Sequence, residues 1–254
     1  MTRTFDELVA EAEAVSVGGW DFSWLDGRAS EQRPSWGYQR LLRGRLAQVA
    51  SALDIDTGGG EVLAGAGPFP PTMAATEPWP PNLPLATQRL HPLGVVVVAT
   101  TGKPPLPFAD AAFDLVCSRH PGALWWGEFA RVLKPGGSYF AQHVGALYFP
   151  NLIEYFVGPC RHELQRGQLN PETAKDQVAA AGLDVVDLRH EQIRVEFFDV
   201  GALIYFLRKL NWVVPGFSVA RYRDRLHGLH QQIQADGRFA THTSRVLIEA
   251  RKPG

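Results

Sequence analysis

Residues 52–63 have the sequence ALDIDTGGGEVL, and this stretch decides the fold. The apolar residues at its start predict a buried strand, and those after Glu61 predict a helix. Three consecutive glycines, at positions 58–60, connect the two. Glycine tolerates positive φ and lets a ligand approach the main chain, while N–H groups at a helix start bind carboxylates or phosphates. The stretch therefore predicts a ligand-binding turn between a strand and a helix.

Short apolar runs alternate with helical stretches on both sides of this turn. Such alternation is typical of a doubly wound α/β fold, in which helices cover both faces of a mostly parallel sheet. The runs that we predict as strands are 52–55, 74–76, 95–99, 114–117, 138–144, 185–197 and 245–250, and the helices between the early strands are 61–66, 83–90 and 123–132.

Residues 1–50 lie outside this alternation, and we interpret them as an N-terminal cap segment of helices and aromatic residues. Residues 51–254 form the main domain. Because no linker separates the two parts, we expect a single domain overall. The aromatic side chains of the cap segment either cover a binding pocket or pack in the core. The predicted helices and the aromatic residues are 4–14, 36–50, Trp20, Phe22, Trp24, Trp36 and Tyr38.

A helical insertion, residues 199–235, precedes the last predicted strand. It contains two amphipathic helices, 199–210 and 219–235, joined by a link that includes Trp212. The first helix has too many apolar residues for a solvated excursion, so one of its faces must be covered. We expect this face either to close as a lid over a bound ligand or to pack against a second subunit in a homodimer. The apolar positions are Leu203, Ile204, Phe206, Leu207 and Leu210.

The composition excludes several classes of protein. The 254 residues suit one α/β domain, and the formal net charge of −1 argues against a dedicated DNA or RNA binder. Cys117 and Cys160 are the only cysteines, too few for a tetrathiolate zinc site or a disulfide framework, and we expect no metal. No apolar run approaches the roughly 20 residues of a membrane span, and the N-terminus lacks a signal-peptide pattern. We expect a cytoplasmic protein that does not bind membranes and for which a nucleic-acid partner is disfavoured.

Three further segments narrow the interpretation. Glu77 lies about twenty residues after the glycine turn, where doubly wound nucleotide binders place an acid against ribose hydroxyls. Residues 106–116, LPFADAAFDLV, lead into a predicted strand. Residues 131–140, RVLKPGGSYF, end a helix, turn at Pro-Gly-Gly and begin another strand.

With these segments in place, the sequence resembles the type 11 family of S-adenosylmethionine-dependent methyltransferases. The family's LPFxDxxFDxV and RVLKPGG segments are present almost unaltered and in order, and the resemblance covers roughly residues 50–145. It implies a class I, Rossmann-like methyltransferase fold, with a seven-stranded sheet that contains one antiparallel strand. A Rossmann dehydrogenase would explain the glycine turn alone, but it would not explain the Leu-Lys-Pro-Gly-Gly turn.

The resemblance also implies a binding site for S-adenosylmethionine. The glycine turn would hold the methionine part of this cofactor, Glu77 the ribose diol and Trp79 the adenine. Thr101 and Gly102 lie where the family often has an acid near the adenine amino group, and Arg119 and His120 would face the cofactor and the acceptor. The implied cofactor-binding residues are Asp54, Asp56, Thr57, Gly58, Gly60, Glu77, Trp79, Asn82, Thr101, Gly102 and Arg119.

The sequence departs from the family pattern at two places. Asp56 replaces the first glycine of the family's turn, and its carboxylate either pairs with the cofactor's ammonium group or crowds the site. The acid expected after the third strand is absent, and Thr101 and Gly102 occupy that region.

Methyl transfer from a sulfonium needs mainly alignment with the nucleophile, and a base only where the acceptor must lose a proton. His120 is the candidate catalytic base by position and His143 the second, whereas the alternative for each is a hydrogen-bonded structural role. We therefore expect a methyltransferase that acts on a small-molecule acceptor and releases S-adenosylhomocysteine. The alternatives are a methyltransferase-fold protein that binds a ligand or catalyses a different reaction, and an RNA methyltransferase, which the net charge disfavours.

Overall fold

Helices and strands alternate along the chain in the computed structural model, which describes residues 3–18, 21–159 and 168–254. The α-helices of these residues are α1 (Phe5–Ala14), α2 (Tyr38–Leu46), α3 (Glu61–Ala64), α4 (Leu83–Leu90), α5 (Trp126–Val132), α6 (Pro150–Val157), α7 (Pro171–Ala180), α8 (Val200–Lys209) and α9 (Val219–Asp236). The strands are β1 (Ala29–Glu31), β2 (Ser51–Ile55), β3 (Thr72–Glu77), β4 (Val96–Ala99), β5 (Phe113–Arg119), β6 (Leu133–Tyr148), β7 (Gln168–Leu169), β8 (Asp184–Phe197) and β9 (Phe239–Arg251).

The described residues form one sheet of nine strands in the order β1-β8-β9-β6-β5-β2-β3-β4, with β7 paired to β6. The pairs from β6 to β4 are parallel, as is β7 with β6, whereas β1 is antiparallel to β8. All seven predicted strands are present, so the mostly parallel α/β class is confirmed. The expected number of seven is wrong, because β1 and β7 have only three and two residues and show no periodic pattern.

The chain forms two compact units. The second unit consists of the described residues of Pro34–Ala146, Leu164–Glu191 and Ser244–Gly254. Side chains alternate along its strands, so that Ala52 and Leu53 of β2 belong to two different buried clusters. Helices α5 and α7 contribute to the cluster of Leu53, and α2, α3 and α4 contribute to that of Ala52. Helices therefore cover both faces of the sheet in this unit, as a doubly wound fold requires.

Strand β2 has the sequence SALDI and is buried at every residue, which suits a strand between two parallel neighbours. In its register, Asp54 lies opposite Ala75 of β3 and Cys117 of β5. The carboxyl ends of β2, β3 and β5 therefore lie at one edge of the sheet. Ligands of doubly wound folds bind outside this edge, so the loops that follow these strands form the candidate site.

The first unit consists of the described residues of Met1–Arg33, Leu147–Glu163 and Gln192–Thr243. Its apolar core combines α1, α6, α8 and α9, and Phe22 and Trp24 pack against it, while Trp20 lies outside the described residues. The side chains of Asp199 and Ser218 cap the N-termini of α8 and α9. None of the described helices is both long enough and apolar enough to cross a bilayer.

The predicted insertion is confirmed as helices α8 and α9. Its apolar face is covered within the first unit, because all five apolar positions belong to the core of that unit. The large hydrophobic side chain of the insertion that is exposed is that of Trp212, whose indole N–H donates to the hydroxyl of Tyr148 at 3.1 Å. The five buried positions are Leu203, Ile204, Phe206, Leu207 and Leu210.

Replacement of Phe206 by Ala should lower the free energy of unfolding by about 3–5 kcal/mol without changing the molecular mass in solution. The ring of Phe206 lies 5.1 Å from those of Phe149 and Phe197, and its removal leaves a cavity between them. Urea denaturation and light scattering measure the two quantities. Phe198→Ala is the matched control, because Phe198 is exposed and its loss should change stability little. A stable Phe206→Ala variant of halved mass would instead identify a subunit interface.

Candidate functional site

The glycine turn packs against helix α4 on one side and has free space around Gly58 on the other. Gly58 and Gly60 have φ angles of 65° and 80°, which glycine adopts without strain. A Cβ at Gly60 would lie 2.9 Å from Cγ of Leu90 in α4, whereas a Cβ at Gly58 would meet no atom within 4 Å. Arg89 donates a hydrogen bond to the carbonyl of Gly59 from the helix side. The turn therefore packs closely on α4 at Gly60 and leaves room for a ligand at Gly58.

Glu77, the last residue of β3, binds the main chain on both sides of it. One carboxylate oxygen accepts the N–H of Gly58 at 2.7 Å, and the other accepts the N–H of Trp79 at 2.8 Å. Asn82 Nδ2 lies 3.5 Å from the second oxygen. The carboxylate is buried, and burial raises the pKa of Glu77 above its ordinary value. Glu77 thus ties the glycine turn to the loop after β3, where the Trp79 ring is partly exposed.

Asp54 is a buried carboxyl within β2. Cys117 Sγ, on β5, donates to its Oδ1 at 3.3 Å. The pKa of Asp54 is raised to about 7, mainly by burial and to a smaller extent by the charges of Asp56 and Glu77. The Thr57 hydroxyl lowers this pKa by its proximity, although Oγ1 is buried and makes no well-formed hydrogen bond with the described residues. Asp54, Asp56 and Glu77, which we call the acid cluster, therefore place excess negative charge beside the glycine turn.

Asp56 adopts the left-handed conformation that its position in the turn requires. Its φ of 56° is a costly conformation for a residue with a side chain, although aspartate tolerates it better than most. Its Oδ2 accepts the N–H of Gly122 at 2.8 Å, in the loop after β5. Burial raises the pKa of Asp56 as well. The residue therefore fixes the loop after β5 to the glycine turn, a contact that a glycine would not make.

Thr101, Gly102 and Arg119 lie at the same sheet edge, but no described contact links them to the acid cluster. Gly102 accepts a hydrogen bond from the indole of Trp125 at 3.3 Å. Thr101 and Arg119 are exposed to solvent. Their assignment to the adenine and to the cofactor stays a prediction.

His120 follows β5 and is held by Gln142 of β6. Its main-chain N–H donates to the Gln142 carbonyl at 2.7 Å, and the Gln142 amide nitrogen lies 3.0 Å from His120 Nε2. Like Asp56, His120 has a positive φ, 61°. Burial, then the charges of Arg119 and Arg245, hold the pKa of His120 well below its usual range. At neutral pH the imidazole is therefore uncharged.

The other histidine candidate, His143, is fully buried. Its Nε2 lies 3.1 Å from the hydroxyl of Tyr139, which favours the structural role over the chemical one. Among the residues that the structure describes, no three potential metal ligands cluster.

Sequence reasoning missed Gln142, Gly122 and Cys117 as members of this region, and it left Trp36 undecided between pocket and core. Trp36 is buried and donates its indole N–H to Gln142 Oε1 at 2.8 Å. No motif identifies these contacts, because each joins residues that are distant in sequence.

Comparison with known protein families finds a match to part of the chain. Residues 53–141 match the family model described as a methyltransferase domain. No curated protein matches the sequence.

Solved structures resemble the chain more widely. The YcgJ protein from Bacillus subtilis has a TM-score of 0.57 at 16% identity, over 85% of this chain and 98% of that one. The [4+2]-cyclase SpnF has a TM-score of 0.51 at 17% identity, over 85% of this chain and 80% of that one. Phosphoethanolamine N-methyltransferase 2 from Haemonchus contortus, in complex with phosphomonomethylethanolamine and S-adenosylhomocysteine, has a TM-score of 0.53 at 18% identity, over 100% of this chain and 61% of that one. At these identities the similarity shows the fold.

The fold is the Rossmann-like α/β fold of class I methyltransferases, which the similar structures share. The segment that matches the methyltransferase-domain model, residues 53–141, contains the glycine turn, Glu77 and His120.

Proposed function

We propose that the protein is an S-adenosylmethionine-dependent methyltransferase that acts on a small-molecule acceptor. The observation that carries this proposal is the acid cluster beside the open glycine turn. S-adenosylmethionine carries a positive ammonium and a positive sulfonium, so it would relieve the repulsion among Asp54, Asp56 and Glu77. The neighbouring N-methyltransferase from Haemonchus contortus was crystallised with S-adenosylhomocysteine, which supports the same ligand here.

The residues present fit this cofactor. The space beside Gly58 allows close approach to the main chain, and the Thr57 hydroxyl retains hydrogen-bonding capacity. The Glu77 oxygen that accepts the Gly58 N–H has a second lone pair for a ribose hydroxyl, whereas the other oxygen faces both Trp79 N–H and Asn82 Nδ2. Asp54 and Asp56 would hold the ammonium end.

The bound cofactor supplies an electrophilic methyl group. The protein then needs mainly to align the acceptor with it and to exclude water, as expected for a bimolecular transfer within one site. A small acceptor agrees with the near-neutral net charge of −1. That helices α8 and α9 cover the acceptor stays a prediction.

Isothermal titration calorimetry with S-adenosylhomocysteine tests the proposal, and we expect saturable binding to one site. S-adenosylmethionine should bind too, and NAD⁺, the control for a dehydrogenase-type site, should give no heat. Absence of heat with both sulfur ligands would overturn the proposed function.

A second candidate is a methyltransferase-fold protein that binds the cofactor but catalyses a different reaction. Asp56, a strained residue at the family's glycine position, favours this candidate. The [4+2]-cyclase among the similar structures shows that the fold is not restricted to methyl transfer. Cofactor binding without transfer of a labelled methyl group to any of a broad set of acceptors would support it.

Replacement of Asp56 by Gly should weaken S-adenosylhomocysteine binding about tenfold, because the charge that pairs with the ammonium is lost. Stability should change little, since relief of the positive φ offsets the lost hydrogen bond to Gly122. Asp56→Asn is the comparison, because Asn tolerates positive φ and removes only the charge. If the charge matters, both variants weaken binding alike in calorimetry. Tighter binding of the Gly variant would show instead that Asp56 crowds the site.

A further inference from the structure

Three side chains of the second unit form a hydrogen-bonded row, Trp36–Gln142–His120. Trp36 Nε1 lies 2.8 Å from Gln142 Oε1, and Gln142 Nε2 lies 3.0 Å from His120 Nε2. Trp36 and Gln142 are both buried, with 4% and 3% of their surfaces exposed. Water therefore does not compete for these hydrogen bonds.

The orientation of the Gln142 amide follows from its neighbour. An indole N–H can only donate, so the amide atom that faces Trp36 must be the oxygen. A flipped amide would place two donors against each other and leave a buried carbonyl oxygen without its indole partner, at a cost of about 1–3 kcal/mol. The amide NH₂ therefore faces His120.

The same logic determines the tautomer of His120. Its Nε2 faces a donor and must accept, so the single proton of the neutral ring is on Nδ1. The main-chain hydrogen bond from His120 to the Gln142 carbonyl, at 2.7 Å, holds the backbone of His120 beside Gln142. Nδ1 is not fully buried and has no hydrogen-bond partner among the described residues.

A general base at this position would have to take a proton on Nε2. That step would put an N–H against the amide NH₂, and a flip of the amide would break its bond to Trp36. The row therefore opposes protonation, and it leaves Nδ1–H as the group that His120 can offer to a ligand.

We propose that Trp36 and Gln142 are positioning residues that hold His120 as a neutral donor, and that His120 Nδ1–H binds an anionic oxygen of the acceptor. The charges of Arg119, the residue before His120, and of Arg245 on β9 act on the ring, so they favour a carboxylate or phosphate oxygen over a neutral one. The identity of the anion as the methyl acceptor rests on the proposed function, whereas the tautomer of His120 is a property of the ligand-free protein.

The tautomer is measured by long-range ¹H–¹⁵N NMR of the histidine rings in the ligand-free protein at pH 7, with His120→Asn to assign the signal. The expected result is a neutral ring with Nδ1 protonated and Nε2 accepting. A ring protonated at Nε2, or a charged ring, would overturn the proposal. Failure of S-adenosylhomocysteine to bind would leave this result unaffected, so the two proposals are tested separately.

Gln142→Glu tests the row, because a carboxylate accepts from Trp36 and from a protonated His120 Nε2 at the same time. It should raise the pKa of His120 by about 1–3, against the opposing charges of Arg119, Arg245 and His143. Gln177→Glu is the matched control, because Gln177 also accepts from an indole, that of Trp126 at 3.3 Å, but has no described contact with a histidine. An unchanged His120 titration in Gln142→Glu would contradict the proposal.

Two further measurements do not depend on that variant. Trp36→Phe frees the Gln142 amide to rotate, so it should also raise the pKa of His120, and an unchanged pKa would count against the row. For the ligand, inorganic phosphate is titrated into the protein saturated with S-adenosylhomocysteine. Phosphate should shift the Nδ1 signal of the wild-type protein, whereas glycerol at the same concentration should not. No shift with phosphate would overturn the assignment of an anionic oxygen.

Discussion

Replacement of Asp54 by Asn should make the protein more stable above pH 7 and weaken its binding of S-adenosylhomocysteine. The Asp54 carboxyl is buried in β2 and has a pKa of about 7, raised mainly by burial from an ordinary value of 3.8. The folded protein therefore holds a proton that the unfolded chain releases near pH 4. Asn keeps the shape of the side chain and removes the charge that must be buried at high pH.

The pH dependence has a definite sign. Because the pKa is raised in the folded state, the contribution of Asp54 to stability is present below about pH 4 and lost as the pH rises to about 7. A difference of about 3 in pKa corresponds to about 4 kcal/mol. The difference in free energy of unfolding between Asp54→Asn and the wild type should thus grow by about this amount from pH 4 to pH 8, as measured by urea denaturation.

Binding should change in the opposite direction. If the Asp54 carboxylate holds the ammonium of the ligand, its loss should weaken affinity at pH 8 by about 10–100-fold in calorimetry. Asp184→Asn is the control, because Asp184 is exposed and should alter neither quantity. Equal pH profiles for wild type and Asp54→Asn would contradict the raised pKa, and unchanged affinity would remove Asp54 from the cofactor site.

Replacement of Glu77 by Ala should lower both stability and ligand affinity. The N–H groups of Gly58 and Trp79 would lose their acceptor, and each unsatisfied buried group costs about 1–3 kcal/mol, so the free energy of unfolding should fall by about 2–6 kcal/mol. Loss of the proposed bond to the ribose should weaken S-adenosylhomocysteine binding by about 1–3 kcal/mol. Urea denaturation and calorimetry measure the two effects.

Glu77→Gln separates the two effects, because it keeps one acceptor oxygen and should lose only part of the stability. It also provides a folded variant if Glu77→Ala does not fold. Glu154→Ala, at an exposed position of α6, is the control for removal of a glutamate in general. Ligand affinity equal to that of the wild type in both Glu77 variants would exclude Glu77 from the ribose role.

Much of the sheet could be predicted because its strands are apolar runs bounded by turn residues. Strand β2 and the glycine turn were placed to within one residue. Helices α6 and α7 were missed, although Asn170 followed by Pro171 is a recognisable helix start, with the Asn170 side chain accepting the Glu172 N–H. Strands β1 and β7 carry no local signal, because strands of two or three residues are determined by their partners.

The candidate site could be predicted only where a motif lies along the chain. Asp54, Glu77 and the turn are local patterns, and the structure brings them to one sheet edge. What Asp56 contacts could not be predicted, since Gly122 reaches it through the pairing of β2 with β5. The side chains that orient His120 could not be predicted either, because one comes from the cap segment and the other from β6.

The row that ends at His120 bears on how this domain could be exchanged between proteins. Residues 53–141 are the segment recognised as a family unit, yet Trp36 and Gln142 lie on either side of it. A chimera joined at the borders of the family segment would carry the histidine and leave behind the two side chains that orient it. A segment that is to be transferred with a correctly oriented His120 must therefore begin before Trp36 and end after Gln142.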